Sequence, residues 1–152
     1  MDSMPLLGMI IVTMLVVLLL LGSQRLYKPI TEETIVSCLL VTDAVDTEFI
    51  INSQEEMQVL QQYKHDYGRC ANRTLPQLDF LAFTLLGKVV SVDGCQVTVN
   101  HKVTWDEERK EVIYYIMPKS EGVCAMKTIL PNWILVEKIP DDYTVRFVVE
   151  QQ

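Results

Sequence analysis

Apolar and polar residues alternate most regularly between positions 97 and 105 of the chain. The odd positions are apolar except for His101, and the even positions are all polar. This period of two is typical of a strand with one buried and one solvated face. The charged residues 106–110 separate this strand from residues 112–117, which carry apolar side chains on both faces. We therefore predict a β-hairpin from Gly94 to Met117, with its second strand in the more central position.

One helix and several further strands are predicted from shorter patterns. Ser53 begins the helix and forms a capping box with Glu56, and the helix is expected to end near Gly68. Gly87 lies inside an apolar stretch and is predicted to mark a bulge or turn. The remaining strands are predicted at residues 34–41, 47–51, 81–92, 133–137 and 143–149. These elements indicate the α+β class, a mostly antiparallel sheet or partial barrel with one main helix, preceded by an N-terminal hydrophobic helix.

The N-terminal part of the chain contains an uncharged apolar run at residues 6–22. This run is at the short edge of a membrane-spanning helix and is slightly long for the core of a signal peptide. We divide the chain into residues 1–28, a signal peptide or membrane anchor with a short tether, and residues 29–152, a single domain. Cleavage near Ser23 would instead give a secreted protein. Ser23 also occupies the position of the lipidated cysteine in a bacterial lipoprotein box, so lipidation there is excluded.

Every cysteine of the chain lies after the apolar run. None belongs to a C-x-x-C pair, the spacing that zinc sites usually require. An even number after an export-like segment favours two disulfides and an oxidising compartment, although four cysteines allow three connectivities. A hairpin brings its two ends together, so we favour the pair Cys95 and Cys124, which leaves Cys38 with Cys70.

The charges beside the apolar run conflict with an oxidising compartment. Arg25 and Lys28 follow the run, and the positive-inside rule would then place the domain in the cytoplasm with reduced thiols. Two charges carry less weight than the distribution of cysteines. We therefore predict a domain anchored in a bacterial inner membrane and facing the periplasm, and the inward-facing alternative stays open.

Composition limits the partners and the chemistry of the domain. The net charge is −7 and no basic cluster is longer than Arg109-Lys110, which argues against nucleic acid and anionic lipid as partners. No spacing indicates a metal or a cofactor. Catalysis would have to use acidic residues in turns or a pair formed by Cys70 and His65, and His101 is predicted to be a hydrogen-bonded core residue. The aromatic side chains that we expect to contact a protein partner are Trp105, Tyr115 and Trp133.

The order of several short motifs resembles a known family. Ser53-Gln54-Glu55-Glu56 is followed by Leu78-Asp79-Phe80, then by residues 84–87 and 133–136. This order is similar to that of exported, lipoprotein-like Bacteroidota domains related to the C-terminal domain of the protease-complex protein PrcB. Residues 91–95 depart from the glycine-rich turn of that family, and the lipidation cysteine is missing.

The resemblance implies a noncatalytic envelope domain that binds or stabilises another protein, and it transfers no functional residue. We therefore expect an exported, membrane-tethered accessory domain that contacts the membrane through residues 6–22 and a protein through its folded part. The alternative is a small hydrolase that uses acidic residues or the Cys70 and His65 pair.

Overall fold

The computed structural model describes residues 27–29, 44–63, 74–122 and 126–151. The apolar run at residues 6–22, the strand predicted at 34–41 and the predicted helix end near Gly68 lie outside these ranges. Within the ranges, no helix is both long and apolar enough to cross a bilayer. The strands are β1 Tyr27–Pro29, β2 Glu48–Ile51, β3 Phe83–Asp93, β4 Gln96–Asp106, β5 Glu111–Glu121, β6 Lys127–Glu137 and β7 Thr144–Val149, and the helix is α1 Gln54–Gln58, continued by a 3-10 turn at Val59–Tyr63.

The strands form two open sheets. The first sheet has the order β1-β6-β3-β2 and the second has the order β4-β5-β7. All paired strands are antiparallel except β5 and β7, which are parallel. The predicted hairpin is confirmed as β4 and β5, and β5 is the central strand of its sheet. The α+β class is also confirmed, with a short helix and mostly antiparallel sheet.

The first sheet is the middle layer of the domain. One of its faces packs against the helical segment in a cluster that includes Met57, Leu60 and Trp133. Its other face packs against the second sheet in a cluster that includes Leu86 and Tyr114. Because β3 contributes to both clusters, it is apolar on both faces, and this explains why its sequence does not alternate.

The first helical turn has the predicted capping box. The N–H of Glu56 donates to Ser53 Oγ at 3.0 Å, and Glu56 Oε2 accepts from the N–H of Asn52 at 2.6 Å. The regular helix is shorter than predicted, because it becomes a 3-10 turn at Val59. In 3-10 geometry, residues three apart lie on one face, and Met57 and Leu60 are both buried against the first sheet.

The prediction of a bulge or turn at Gly87 is wrong. Gly87 lies within β3, and the register between β3 and β6 runs without interruption from Phe83 to Asp93. Its partner on β6 is Trp133, whose ring lies directly over the glycine. A Cβ atom on Gly87 would be 2.0 Å from Trp133 Cζ3, so only a residue without a side chain fits beneath the indole.

Two short connections between the sheets lie wholly within the described residues. Gly94 and Cys95 join β3 to β4, and a Cβ on Gly94 would lie 2.8 Å from Ser120 Cβ, so the close approach there requires glycine. The predicted turn before β7 is also present at Asp141 and Asp142. It leads the chain from β6 in the first sheet to β7 in the second. Each connection therefore changes sheet rather than closing a hairpin.

Candidate functional site

The outer face of the second sheet is the side that does not pack on the first sheet. The inner side chains of β5, among them Val112, Tyr114 and Ile116, are fully buried in the cluster between the sheets. The strand registers place the alternate residues on the other side. This outer face consists of Thr98, Asn100, Lys102 and Thr104 of β4, Ile113, Tyr115 and Met117 of β5, and Arg146 and Val148 of β7.

Tyr115 lies at the centre of this outer face. Its strand neighbours are Lys102 on β4 and Val148 on β7. Lys102 Nζ lies 5.7 Å from the centroid of the Tyr115 ring, a cation–π contact. Ile113 and Met117 flank the tyrosine along β5, and these side chains and Val148 are half-buried. Together they form an apolar row bordered by hydroxyl, amide and charged groups.

Charges at the border of the outer face are paired in a fixed geometry. Arg146 donates to Glu111 through Nε at 2.9 Å and through Nη2 at 3.1 Å, a bidentate pair. These hydrogen bonds lower the pKa of Glu111 and raise the pKa of Arg146. Lys119 Nζ lies 3.1 Å from Glu121 Oε1. The border therefore carries positively and negatively charged side chains around an apolar centre.

β4 forms one edge of the second sheet. Its eleven residues pair with β5 in an unbroken register, and in the described part of the chain no strand pairs with its other side. An edge strand presents backbone N–H and C=O groups that can pair with an added strand. Such an addition would extend the outer face beside Tyr115.

The three aromatic residues predicted to contact a partner lie in different environments. Only Tyr115 lies on the outer face. Trp105 is on the inner side of β4, half-buried, with its ring 6.0 Å from that of Tyr143. Trp133 is 4% exposed and packs beside Phe49, so its ring belongs to the core. Interface roles for Trp105 and Trp133 are therefore not favoured by their packing.

The structure brings two of the acidic turns together. Lys110 has a φ of 51° at the tip of the hairpin, and its Nζ lies 2.5 Å from Asp142 Oδ2. The Tyr143 hydroxyl donates to Glu107 beside this pair. The hydrogen bond from Lys110 lowers the pKa of Asp142. A general acid needs a raised pKa, so the lowered pKa values of Asp142 and Glu111 do not suit proton donation by these two groups.

His101 is hydrogen-bonded, as predicted. Its Nε2 lies 3.0 Å from Oδ1 of Asn132, which is 3% exposed. The amide nitrogen of Asn132 donates to the carbonyl of Leu130 at 2.9 Å and to that of Lys88 at 3.3 Å. This side-chain bridge joins β4 of the second sheet to β6 of the first. Asn132 was not predicted, because a buried asparagine has no signature in the sequence pattern.

Cys95 is disulfide-bonded, and the other cysteine of that bond is outside the described residues. Because Cys38, Cys70 and Cys124 all lie outside them, both predicted pairings stay predictions. The same holds for the Cys70 and His65 pair. Among the described residues, no group of three or more histidine, cysteine or acidic side chains is arranged to hold a metal ion.

A groove with a volume of about 790 Å³ opens at the end of the first sheet where β6 ends. Leu78, Ala82, Phe83 and Leu135 give it an apolar lining, and Glu137 and Lys138 also line it. Lys138 Nζ donates to the backbone carbonyl of Asn52 at 3.2 Å and to its side-chain oxygen at 3.1 Å.

No family model, no curated protein and no solved structure matches this chain. The resemblance to domains related to the C-terminal domain of PrcB therefore stays a prediction, and the candidate site rests on its own geometry.

Proposed function

We propose that this protein is a noncatalytic accessory domain, tethered to the bacterial inner membrane on its periplasmic side, that binds another protein through the outer face of the second sheet. The apolar run at residues 6–22 supplies the tether in this proposal. The disulfide-bonded state of Cys95 and the even number of cysteines support an oxidising compartment.

One observation carries the binding part of the proposal. The row of Ile113, Tyr115, Met117 and Val148 lies on the face of the second sheet opposite the one that packs on the first sheet. The inner face of the same sheet already supplies the core through Tyr114 and its neighbours. Interfaces typically place tyrosine and methionine at an apolar centre and polar groups at the rim, and this face has that arrangement.

The edge of β4 indicates the form of the partner. An extended segment that pairs with β4 would gain backbone hydrogen bonds along the strand and would place its side chains beside the apolar row. Thr98, Asn100 and Thr104 are uncharged and offer no repulsion to such a strand, and Lys102 between them is directed over the Tyr115 ring. We therefore propose a partner that contributes an extended, partly apolar segment.

Photo-crosslinking at Tyr115 tests the proposal. The full chain carries benzoylphenylalanine at position 115 and is illuminated in its native membranes. A matched probe at Ser91, which is exposed on β3 of the first sheet, controls for random encounters. We expect one discrete adduct from the probe at 115 and none from the probe at 91.

A substitution in the apolar row distinguishes a specific protein interface at this face from a protein that is merely close to the probe. Met117→Asp adds a charge beside position 115 and should suppress the adduct, because an interface core does not tolerate an unpaired charge. Circular dichroism checks that the variant is folded. Equal adducts from both probes, or an adduct that Met117→Asp leaves unchanged, would contradict binding at this face.

The intact mass of the protein from native membranes tests the tether. Under thiol-blocking conditions we expect an uncleaved N-terminus and a mass that lacks the four hydrogen atoms removed when two disulfides form by oxidation. The mass of a chain that begins near Ser23 would indicate cleavage and secretion. Four blocked thiols would indicate the inward-facing topology.

A further inference from the structure

Leu81 has the largest exposure of any large apolar side chain in the described residues, with 93% of its surface accessible. Its turn is fixed by hydrogen bonds to Asp79, whose side chain accepts from the N–H of Leu81 at 3.1 Å and whose carbonyl accepts from the N–H of Phe83 at 3.0 Å. The preceding Phe80 is buried in the core. The turn therefore holds one apolar side chain in the core and the next one out in solvent.

Leu81 lies at the same end of the domain as the apolar groove. Ala82 lines that groove, and its carbonyl accepts from the N–H of Lys138 at 2.8 Å, which fixes the turn against the end of β6. Phe83, which also lines the groove, pairs with Glu137. Leu81 thus directly precedes Ala82, a residue of the groove, and we term the exposed leucine and the apolar lining of the groove together the Leu81 surface. It consists of Leu81 together with Leu78, Ala82, Phe83 and Leu135.

The first described strand begins at this end of the domain. Tyr27 pairs with Val136, and β1 is antiparallel to β6, so β1 begins at the end of the first sheet where β6 ends. Gly22, the last residue of the apolar run, precedes Tyr27 by five positions. An extended chain covers at most about 18 Å over that separation. If the run spans the membrane, the Leu81 surface must lie close to the bilayer.

We propose that the Leu81 surface docks on the lipid bilayer, with Leu81 inserted at the interface and the groove facing the headgroups. This inference rests on the membrane tether of the proposed function. The tether keeps the surface at a high local concentration near the lipid, so that a small apolar contact suffices. The domain then stands on the membrane in one orientation instead of rotating freely about its linker.

The charges that line the groove indicate which lipid to use as the probe. Asp79, Glu137 and Lys138 include two anionic groups and one cation, so the groove itself does not attract anionic headgroups. The contact is apolar, and phosphatidylcholine vesicles are a sufficient probe. Docking should accordingly be insensitive to salt.

Quenching by brominated lipid tests the contact. The full chain with Leu81→Trp is reconstituted into phosphatidylcholine vesicles with and without bromine on the acyl chains, and the emission of the wild-type chain is subtracted. We expect bromine to reduce the emission added by the substitution by about twofold or more, because a tryptophan at the interface lies within reach of the acyl chains.

Met126→Trp is the matched control. Met126 is 58% exposed and precedes β6 at its other end, about 35 Å along an eleven-residue strand from Glu137. We expect bromine to leave the emission added there unchanged. Equal quenching of the two variants, or no quenching of Leu81→Trp in chains that float with the vesicles, would overturn the docking and leave the tether intact.

Two further outcomes separate the remaining explanations. If the chain does not float with the vesicles, the tether itself fails and the docking fails with it. If Leu81→Trp is shielded from aqueous acrylamide but is not quenched by bromine, something other than lipid covers the surface, and the bilayer is the wrong occupant.

Discussion

Gly87 and Trp133 make the sharpest stability test of this fold. Alanine at position 87 would place its Cβ 2.0 Å from Cζ3 and 2.2 Å from Cε3 of the indole, although carbon atoms in contact are normally about 3.5 to 4.0 Å apart. The ring cannot move aside easily, because Trp133 is 4% exposed and its ring centroid is 5.2 Å from that of Phe49. Either the indole leaves the core or the two central strands separate.

The cost of Gly87→Ala lies between two limits. Overpacking a filled core costs about 1 to 3 kcal/mol when neighbours can adjust. Complete expulsion of the indole exposes about 200 Å², which corresponds to about 5 kcal/mol at 25 cal/mol per Å². The indole of Trp133 is also covered by the helical segment, through Met57 and Leu60 of the same cluster. We therefore expect a loss of about 3 to 5 kcal/mol in the free energy of unfolding.

A double-mutant cycle isolates the steric conflict. Trp133→Val removes the ring, and in that background we expect Gly87→Ala to cost less than about 1 kcal/mol, because alanine suits a strand interior better than glycine. The assay is denaturant unfolding of the full chain in detergent, followed by far-UV circular dichroism. Ser91→Ala, an exposed substitution on the same strand, should stay within about 0.5 kcal/mol of the wild type. A Gly87→Ala variant as stable as Ser91→Ala, or one that loses the same free energy of unfolding with and without the indole, would refute a steric conflict between position 87 and Trp133.

Two further predictions concern polar contacts. Asn132→Ala removes the bridge between the sheets, with the part-buried hydrogen bonds that Asn132 makes with His101 and with the carbonyl of Lys88, so it should cost about 2 kcal/mol in unfolding free energy. Asn100→Ala on the exposed face of β4 should be close to neutral. The pKa values of Asp142 and Glu111 are lowered in the folded state, so their contribution to stability is present above their unfolded pKa values and is lost as the pH falls below about 4. The double variant Asp142→Asn with Glu111→Gln should therefore reduce the loss of stability measured between pH 5 and pH 3. An unchanged pH profile would show that neither ion pair contributes to the pH dependence.

The elements that were predicted correctly have short-range signals in the sequence. The alternation from Val97 to Trp105 gave β4, and the Ser53 and Glu56 spacing gave the capping box. The first half of β6 was missed because Pro131 interrupts the pattern. Within the described residues, β1 pairs with positions 134–136 and β3 is the strand partner of Pro131, so the proline lies beyond the described pairing with β1, where a missing N–H is tolerated.

Features set by contacts distant in sequence could not be predicted. The requirement for glycine at position 87 comes from Trp133, which lies on another strand. The outer position of Tyr115 depends on which face of β5 meets the first sheet, and a strand with apolar residues on both faces does not reveal that. Leu81 was assigned to a strand because it is apolar, yet it lies in an exposed turn.

The fold relates the two proposed surfaces to each other. The base of the hairpin lies at the end of the first sheet near Met126, because the N–H of Gly94 donates to the Met126 carbonyl at 2.9 Å. The tip lies at the other end, because the Lys110 carbonyl accepts from the N–H of Thr144 at 2.9 Å, just after the loop that follows Lys138. The tip and the Leu81 surface therefore share one end of the domain.

Tyr115 is four residues from Glu111, where β5 begins at the tip, and six residues from Glu121 at the base, so it lies slightly nearer to the end of the domain that we propose to face the bilayer. A domain that docks through Leu81 would consequently hold Tyr115 about 13 Å along β5 from the tip. The base of the hairpin would point away from the bilayer. A partner that binds this face needs to reach close to the bilayer, which favours another membrane-associated protein over one that diffuses in the periplasm. Moving the crosslinking probe from position 115 to Thr98, near the base of the hairpin, should accordingly weaken capture.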